Sequence, residues 1–185
     1  FVLHPHNKIS TVQRKIMTTT KEQNVFNLAI NGNFDDCQNL VKSMFSAQDF
    51  SNSINMSGVN SINWARIIAQ SVYYFYAYFQ SGFVKGNEYK ELVNFSVPTG
   101  NFGDAYAGYV AKKMGLPIDK IVIATNSNDI LSKFFQTGIY KVSKVIPTLS
   151  PSMDIQLASN FERLLYEVLN YNASLVKQYM KNLNN

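Results

Sequence analysis

The clearest structural signal in this chain is Ser96-Val97-Pro98-Thr99-Gly100-Asn101-Phe102-Gly103-Asp104-Ala105, where an apolar run stops at a Gly-x-x-Gly turn and a helical pattern begins. A strand that turns through glycines into a helix directs several backbone N–H groups, and the positive end of the helix dipole, at one point. Such a point binds anions, phosphate above all. Gly100 and Gly103 favour this use because a residue without a Cβ permits positive φ and close approach to an anion. The same spacing also occurs in ordinary strand-to-helix turns, so both interpretations stay open.

The pattern around this turn alternates short apolar strands with helices. Strands are predicted at 25–30, 92–97 and 121–124, and a long helix at 62–79. Apolar strands separated by helices are typical of an α/β fold with parallel sheets covered by helices on both faces. Ligands of such sheets bind beyond the carboxyl ends of the strands, where the glycine turn lies.

Composition excludes several classes of protein. The chain has 185 residues, of which 46% are hydrophobic and 16% charged, as in a globular domain. Polar residues interrupt the helix pattern at 62–79, which favours a buried helix over a membrane span. The lone Cys37 cannot form an internal disulfide, so we expect a cytoplasmic protein. The net charge of +5 is scattered without a basic run among aromatics, so we expect no nucleic-acid partner.

A second candidate anion site lies at the start of the long helix, in the segment 60–66. Asn60 or Ser61 can cap the helix, and Asn63 and Arg66 share a face because they are three residues apart. Two amides, a hydroxyl and a guanidinium beside open N–H groups could hold a phosphate. The alternative is a helix cap with an arginine that pairs with an acidic neighbour.

Other polar residues have simpler interpretations. Asp35 and Asp36 begin a helix, where carboxylates suit the dipole, and no His or further carboxylate stands at metal-ligand spacing. We therefore predict no metal site. Cys37 beside these carboxylates is expected to be a buried, unreactive thiol. In the glycine turn, Asn101 could donate its amide to a phosphate oxygen, whereas the ring of Phe102 is expected to pack.

Taken together, these segments resemble threonine synthase, in the longer form found in many bacteria and fungi. The resemblance covers nearly the whole chain in the expected order. It is carried by Phe-Val-Leu-His-Pro (1–5), Val12-Gln13-Arg14, Gly32-Asn33-Phe34-Asp35-Asp36-Cys37-Gln38, 60–66, 97–104, Met114-Gly115-Leu116-Pro117, Ala124-Thr125-Asn126, 150–155 and Ser159-Asn160-Phe161-Glu162-Arg163.

The resemblance implies a pyridoxal-phosphate enzyme of the tryptophan-synthase-like fold, which converts O-phospho-L-homoserine and water to L-threonine and phosphate. Residues 1–57 would belong to the smaller, mobile lobe and residues 58–185 to the larger one. Gly100, Asn101, Phe102 and Gly103 match the cradle for the cofactor phosphate. The positions that match those facing the substrate phosphate are Asn60, Ser61, Asn63 and Arg66.

The resemblance also identifies a catalytic motif of the family that this sequence does not contain. The family's Schiff-base lysine lies in a histidine-glycine-proline-threonine type motif that nothing here matches, so we name no catalytic residue. We expect an internal fragment that is inactive alone, exposes apolar surface, and either self-associates or joins flanking fragments. The alternative is a non-catalytic phosphate- or nucleotide-binding α/β module.

Overall fold

The computed structural model describes residues 1–82, 84–85, 88–89 and 91–183, and divides into two compact units, Phe1–Ser57 and Gly58–Asn185. The first unit contains β1 (Val2–Pro5), α1 (Thr11–Thr18), β2 (Asn27–Ile30), α2 (Phe34–Ser46) and α3 (Gln48–Ser53). Assignment of 1–57 and 58–185 to a smaller and a larger lobe stays a prediction.

The first unit is a parallel strand pair with short helices. β1 and β2 pair in register from Val2 opposite Asn27 to Pro5 opposite Ile30. α2 begins with a capping box, in which Asn33 Oδ1 accepts from Asp36 N at 3.0 Å and the Asp36 carboxylate accepts from Asn33 N at 2.7 Å. Asp36 therefore stabilises the helix start, as predicted. Cys37 is buried, and burial, with the Asp36 charge, raises the pKa of its thiol.

The second unit continues the alternation of strands and helices. Its elements are α4 (Trp64–Gln80), β3 (Val84–Lys85), β4 (Glu88–Tyr89), β5 (Val93–Pro98), α5 (Gly103–Lys113), β6 (Ile118–Ala124), α6 (Ile130–Thr137), a 3₁₀ turn (Pro151–Met153), α7 (Phe161–Val168) and α8 (Ala173–Asn182). β5 and β6 are parallel, whereas β3 and β4 form a small antiparallel pair that the sequence did not predict. The α/β class is confirmed, as short parallel pairs with helices.

The core of the second unit surrounds α5. This helix contacts both β5 and β6 on one side and packs against α4 on another. Tyr74 of α4 comes so close to α5 that a Cβ on Gly108 would lie 2.5 Å from its ring. Its hydroxyl donates to the backbone oxygen of Asp104 at 2.8 Å. α4 and α5 are therefore in direct contact through Tyr74.

The opposite face of α4 is apolar and exposed. Its exposed large side chains are Ile68, Val72, Tyr73, Tyr76 and Phe79. This is the apolar surface that the sequence led us to expect; self-association through it stays a prediction. Within the described residues, no helix is long and apolar enough to cross a membrane.

Candidate phosphate-binding site

The glycine turn connects β5 to α5 across residues 99–102. Thr99 N donates to Ala124 O at 3.0 Å, which fixes the start of the turn against β6. Phe102 occupies the N-cap position of α5, and none of the described side chains caps this helix. The ring of Phe102 is buried against Phe135 and Phe161, with centroids 6.0 and 5.8 Å away. The N–H groups of the first turn of α5 thus have no side-chain cap, while the ring packs as predicted.

The two glycines serve the turn in a different way from the one expected. Neither Gly100 nor Gly103 has positive φ; the left-handed residue is Phe102, with φ +62°. Gly100 instead permits close packing, because its Cβ would lie 3.0 Å from the Cα of Met153. A Cβ on Gly103 would lie 3.3 Å from Asn160 Nδ2. The expectation of positive φ was wrong, since close approach of protein atoms accounts for both glycines.

Met153, which lies against Gly100, belongs to a loop that is stabilised by hydrogen bonds to the Asp154 carboxylate. It accepts hydrogen bonds from Thr148 Oγ1 at 2.6 Å, Asn126 Nδ2 at 2.8 Å and Asn128 Nδ2 at 3.0 Å. Burial alone would raise the pKa of Asp154, but these bonds, with that from Thr148 N, hold it below the ordinary value. The 150–155 segment is therefore held beside the turn by the hydrogen bonds of Asp154.

The Asn101 side chain connects separate segments of the second unit. Its Nδ2 donates to Ser61 Oγ, and its Oδ1 accepts from Ser159 N at 2.7 Å. The amide that the sequence suggested as a phosphate donor therefore has protein partners here. Its contact with Ser61 brings the glycine turn and the 60–66 segment together, which the sequence could not show.

The start of α4 differs from the prediction by a few residues. Asn63 is the N-cap, with Oδ1 accepting from Ala65 N at 2.8 Å, and the helix begins at Trp64. Asn60 Oδ1 instead accepts from Ile62 N at 3.2 Å in a local turn before the helix. Naming Asn60 or Ser61 as the cap was thus wrong. Three neighbouring residues can all cap a helix, and only the path of the chain chooses among them.

Arg66 lies exposed in the first turn of α4. Its guanidinium donates to Val59 O at 3.1 Å. In the ranges that the structure describes, no carboxylate forms an ion pair with it. The alternative interpretation, an arginine paired with an acidic neighbour, therefore has no support among these residues.

Asn160 and Arg163 complete the cluster, and sequence reasoning gave them no role. Asn160 is 0% exposed, and its Nδ2 donates to Ser61 O at 2.9 Å and to Asn101 O at 3.2 Å. Arg163 Nε donates to Asn160 Oδ1 at 3.0 Å, and its guanidinium lies 5.2 Å from the centre of the Trp64 ring. Both residues stand in a segment that carried the resemblance, which was the available signal.

Acceptor oxygens also lie buried near the turn. In the described part of the chain, Asp104 Oδ1 and Gln70 Oε1 have no hydrogen-bond partner, and Gln70 Oε1 would be 3.7 Å from a Cβ on Gly103. Burial raises the pKa of Asp104, and the nearby Tyr74 hydroxyl offsets this only in part. The Asp104 carboxyl is thus harder to ionise in the folded chain than in water. No group of three His, Cys, Asp or Glu side chains among the described residues could hold a metal ion.

No protein-family model matches the chain. Threonine synthase of Pseudomonas aeruginosa is 51% identical over 180 residues, which is 97% of this chain and 37% of that protein. Threonine synthase of Saccharomyces cerevisiae is 51% identical over 183 residues, or 98% of this chain and 34% of that protein. Over nearly all of its length, the chain is thus similar to one part of these threonine synthases.

Solved structures show the same similarity. A crystal structure of pyridoxal-phosphate-bound threonine synthase from Brucella melitensis matches all of this chain with a TM-score of 0.83 and 53% identity, and 39% of that chain is covered. The yeast threonine synthase structure matches with a TM-score of 0.80 and 47% identity, with 37% of that chain covered. The fold is thus that of the threonine synthases, and this chain spans about a third of the length of the relatives that it matches.

Proposed function

We propose that this chain provides the phosphate-binding part of a threonine synthase. In this proposal, the turn Gly100–Asn101–Phe102–Gly103 holds the phosphate of pyridoxal 5'-phosphate. The segment with Asn60, Ser61, Asn63 and Arg66 receives the phosphate of O-phospho-L-homoserine. The enzyme as a whole would convert this substrate and water to L-threonine and phosphate.

One observation supports the cofactor assignment most directly. α5, a helix of 11 residues, begins at the carboxyl end of a parallel strand, and no described side chain caps it. Uncapped N–H groups and the helix dipole favour a phosphate at this point. Met153 lies so close to the turn that a Cβ on Gly100 would be only 3.0 Å from its Cα, so a side chain has little space there. The residues present thus fit the phosphate of the cofactor.

The substrate assignment is supported by Arg66. Its guanidinium is exposed beside the N-terminus of α4, and its hydrogen bond to Val59 O fixes the side chain. A guanidinium beside helix N–H groups can hold a phosphate dianion without a proton transfer. This suits a reaction in which phosphate is first held and then released. Asn63 supplies the helix cap and so orients this segment.

When bound, pyridoxal phosphate supplies an electron sink for charge that develops on the substrate, while the protein supplies position and field. The family attaches its cofactor through a lysine in a motif that these 185 residues do not contain. We therefore propose that the 185 residues, tested alone, bind phosphate ligands without turnover. A cytoplasmic location also stays a prediction, supported by the lone Cys37.

The proposal is tested with pyridoxine 5'-phosphate, which has no aldehyde and so cannot react with surface lysines. Calorimetric titration of the 185-residue chain should show saturable binding that inorganic phosphate competes away. Unphosphorylated pyridoxine should bind at least about tenfold more weakly, because tenfold corresponds to about 1.4 kcal/mol, the contribution of a hydrogen bond to a charged group. Equal affinity for both compounds, or phosphate-insensitive binding, would contradict the proposal. Competition by nucleotides with higher affinity would favour the binding-module alternative.

The proposed site for the substrate phosphate is tested with Arg66→Gln. The control is Arg14→Gln, which removes the same charge in the other unit. O-phospho-L-homoserine should bind about tenfold more weakly to Arg66→Gln, since a charge-assisted hydrogen bond is lost. The Arg14 variant should bind like the unmodified chain. Phosphate release, measured in parallel, should stay at background. Turnover by the isolated chain would contradict the proposal that its 185 residues bind phosphate ligands without catalysis.

A further inference from the structure

The buried amide of Asn160 stands between the two segments that are proposed to hold phosphates. Asn160 is 0% exposed and is the residue immediately before α7. Both of its amide hydrogens have partners, in Ser61 O at 2.9 Å and Asn101 O at 3.2 Å. Ser61 belongs to the substrate-phosphate segment and Asn101 to the cofactor-phosphate turn. A single side chain thus joins two segments that lie 40 residues apart in sequence.

The orientation of this amide is itself fixed. Asn160 Oδ1 accepts from Arg163 Nε at 3.0 Å, so the opposite edge of the amide must present its two donors to the carbonyls. The other end of the Arg163 guanidinium donates to Ile62 O at 2.6 Å, which ties the start of α4 to α7 as well. Asn160 N also donates to Asn101 O, at 3.2 Å. These contacts define the orientation of the Asn160 amide, and the amide in turn holds the carbonyls of Ser61 and Asn101 by hydrogen bonds.

Packing alone does not require an asparagine at this position. A buried apolar side chain of similar size could fill the space, but it would leave the Ser61 and Asn101 carbonyls without these partners. Asn160 Nδ2 would also lie 3.3 Å from a Cβ on Gly103, so the amide borders the start of α5 directly. Its contacts are thus directed at the two phosphate segments.

We infer that Asn160 is a positioning residue that sets the spacing between the cofactor-phosphate turn and the substrate-phosphate segment, so that its loss weakens both phosphate sites together. This inference rests on the proposed function of the two segments. Asn160 touches neither ligand in this scheme. It acts through the backbone carbonyls of Ser61 and Asn101, and hence through the N–H groups that follow each of them.

The test compares Asn160→Asp with Asn172→Asp in the 185-residue chain. Asn160→Asp keeps the shape but replaces the two donors by acceptors that face carbonyl oxygens. Asn172 caps α8 by accepting from Leu175 N at 3.1 Å, and an aspartate can accept in the same way. Affinities for pyridoxine 5'-phosphate and for O-phospho-L-homoserine are measured on samples whose folded state is verified by circular dichroism.

Asn160→Asp should weaken both ligands by about tenfold each, in parallel, whereas Asn172→Asp should leave both unchanged. The ³¹P resonance of bound pyridoxine 5'-phosphate should also shift, which a loss of stability alone would not cause. A folded Asn160→Asp chain that binds both ligands normally, or loses only one, would overturn the inference. An unmodified chain that binds neither ligand would instead overturn the proposed function, so the two failures are distinct.

A second variant covers the case in which Asn160→Asp does not fold. Arg163→Lys keeps a positive charge near Trp64 but cannot hold Asn160 and the Ile62 carbonyl with one planar group. It should weaken both phosphate ligands by a similar, smaller factor of about threefold. Unchanged affinity for both ligands in this folded variant would overturn the inference equally.

Discussion

The N-termini of α5 and α4 lie beside each other through the contact between Asn101 and Ser61, yet they differ in how their N–H groups are used. α4 is capped by Asn63, whose side chain accepts from Ala65 N. α5 has a buried, left-handed Phe102 at the same position and no cap among the described side chains. Both helices have the same dipole, so the difference lies in the donors that remain. An anion at the start of α5 would therefore be held by backbone N–H groups, whereas one at the start of α4 would depend mainly on the Arg66 guanidinium.

The largest expected effect is on stability, from a substitution that removes packing between the starts of α4 and α5. Ile67 is 0% exposed, and its Cδ1 would lie 3.4 Å from a Cβ on Gly103. Ile67→Ala should cost about 2–5 kcal/mol of unfolding free energy, measured by urea denaturation, because it leaves a cavity in a packed core.

The neighbouring residue gives a matched control for this prediction. Ile68 is 42% exposed on the same helix. Ile68→Ala should change the unfolding free energy by less than about 1 kcal/mol, because little buried apolar area is lost. Equal losses in the two variants would mean that α4 does not pack on α5 through Ile67.

The second prediction places a negative charge at the uncapped terminus. Gly103→Asp should abolish detectable binding of pyridoxine 5'-phosphate, because the carboxylate would occupy the same field and N–H groups as the ligand. Calorimetry measures the loss. Gly103→Ala measures how much of the loss comes from added bulk alone, which includes the shift of the Asn160 amide that its Cβ requires. Retained affinity in the folded aspartate variant would mean that the phosphate does not bind at α5.

The third prediction concerns the capped terminus. Asn63→Ala should lower the unfolding free energy by about 1 kcal/mol, the usual loss for an N-cap. Asn63→Asp should recover only part of it, because the carboxylate still accepts from Ala65 N but cannot donate to Gly58 O as the amide nitrogen does. Thermal unfolding followed by circular dichroism compares the three chains. If alanine cost nothing, the contrast between the two helix starts would disappear.

The smallest expected effect is a pH dependence at the first turn of α5. Burial raises the pKa of Asp104 in the folded state, so the folded chain holds this proton to higher pH than the unfolded chain. Stability from this group is therefore greatest at low pH and falls as pH rises from about 3.9, the ordinary aspartate value, through the raised pKa. Asp104→Asn should remove that fall in urea-unfolding midpoints.

Asp154 gives the opposite sign and so provides the comparison. Its pKa is lowered in the folded state, so its contribution is present above the ordinary value and is lost as pH falls below it. Asp154→Asn should thus flatten the acid side of the stability profile. A profile unchanged by both substitutions would mean that neither carboxyl has the environment described for it.

Much of this architecture was accessible from the order of residues. Apolar runs, glycines and acidic residues gave the α/β class, the glycine turn and the start of α2 near Asp36, because these features depend on neighbours within a few residues. The same local signals placed Phe102 in the core. They failed at the start of α4, where Asn60, Ser61 and Asn63 compete as caps. They also gave the wrong reason for Gly100 and Gly103.

The local periods of apolar and turn-forming residues therefore determined which segments become strands and helices in this protein. Tertiary structure decided what the polar residues do. The amide of Asn101 is used by Ser61 and Ser159, and that of Asn160 by two backbone carbonyls, because segments distant in sequence meet only after the chain packs. A hydrogen bond depends on distance in space, to which spacing along the chain gives no guide beyond a few residues.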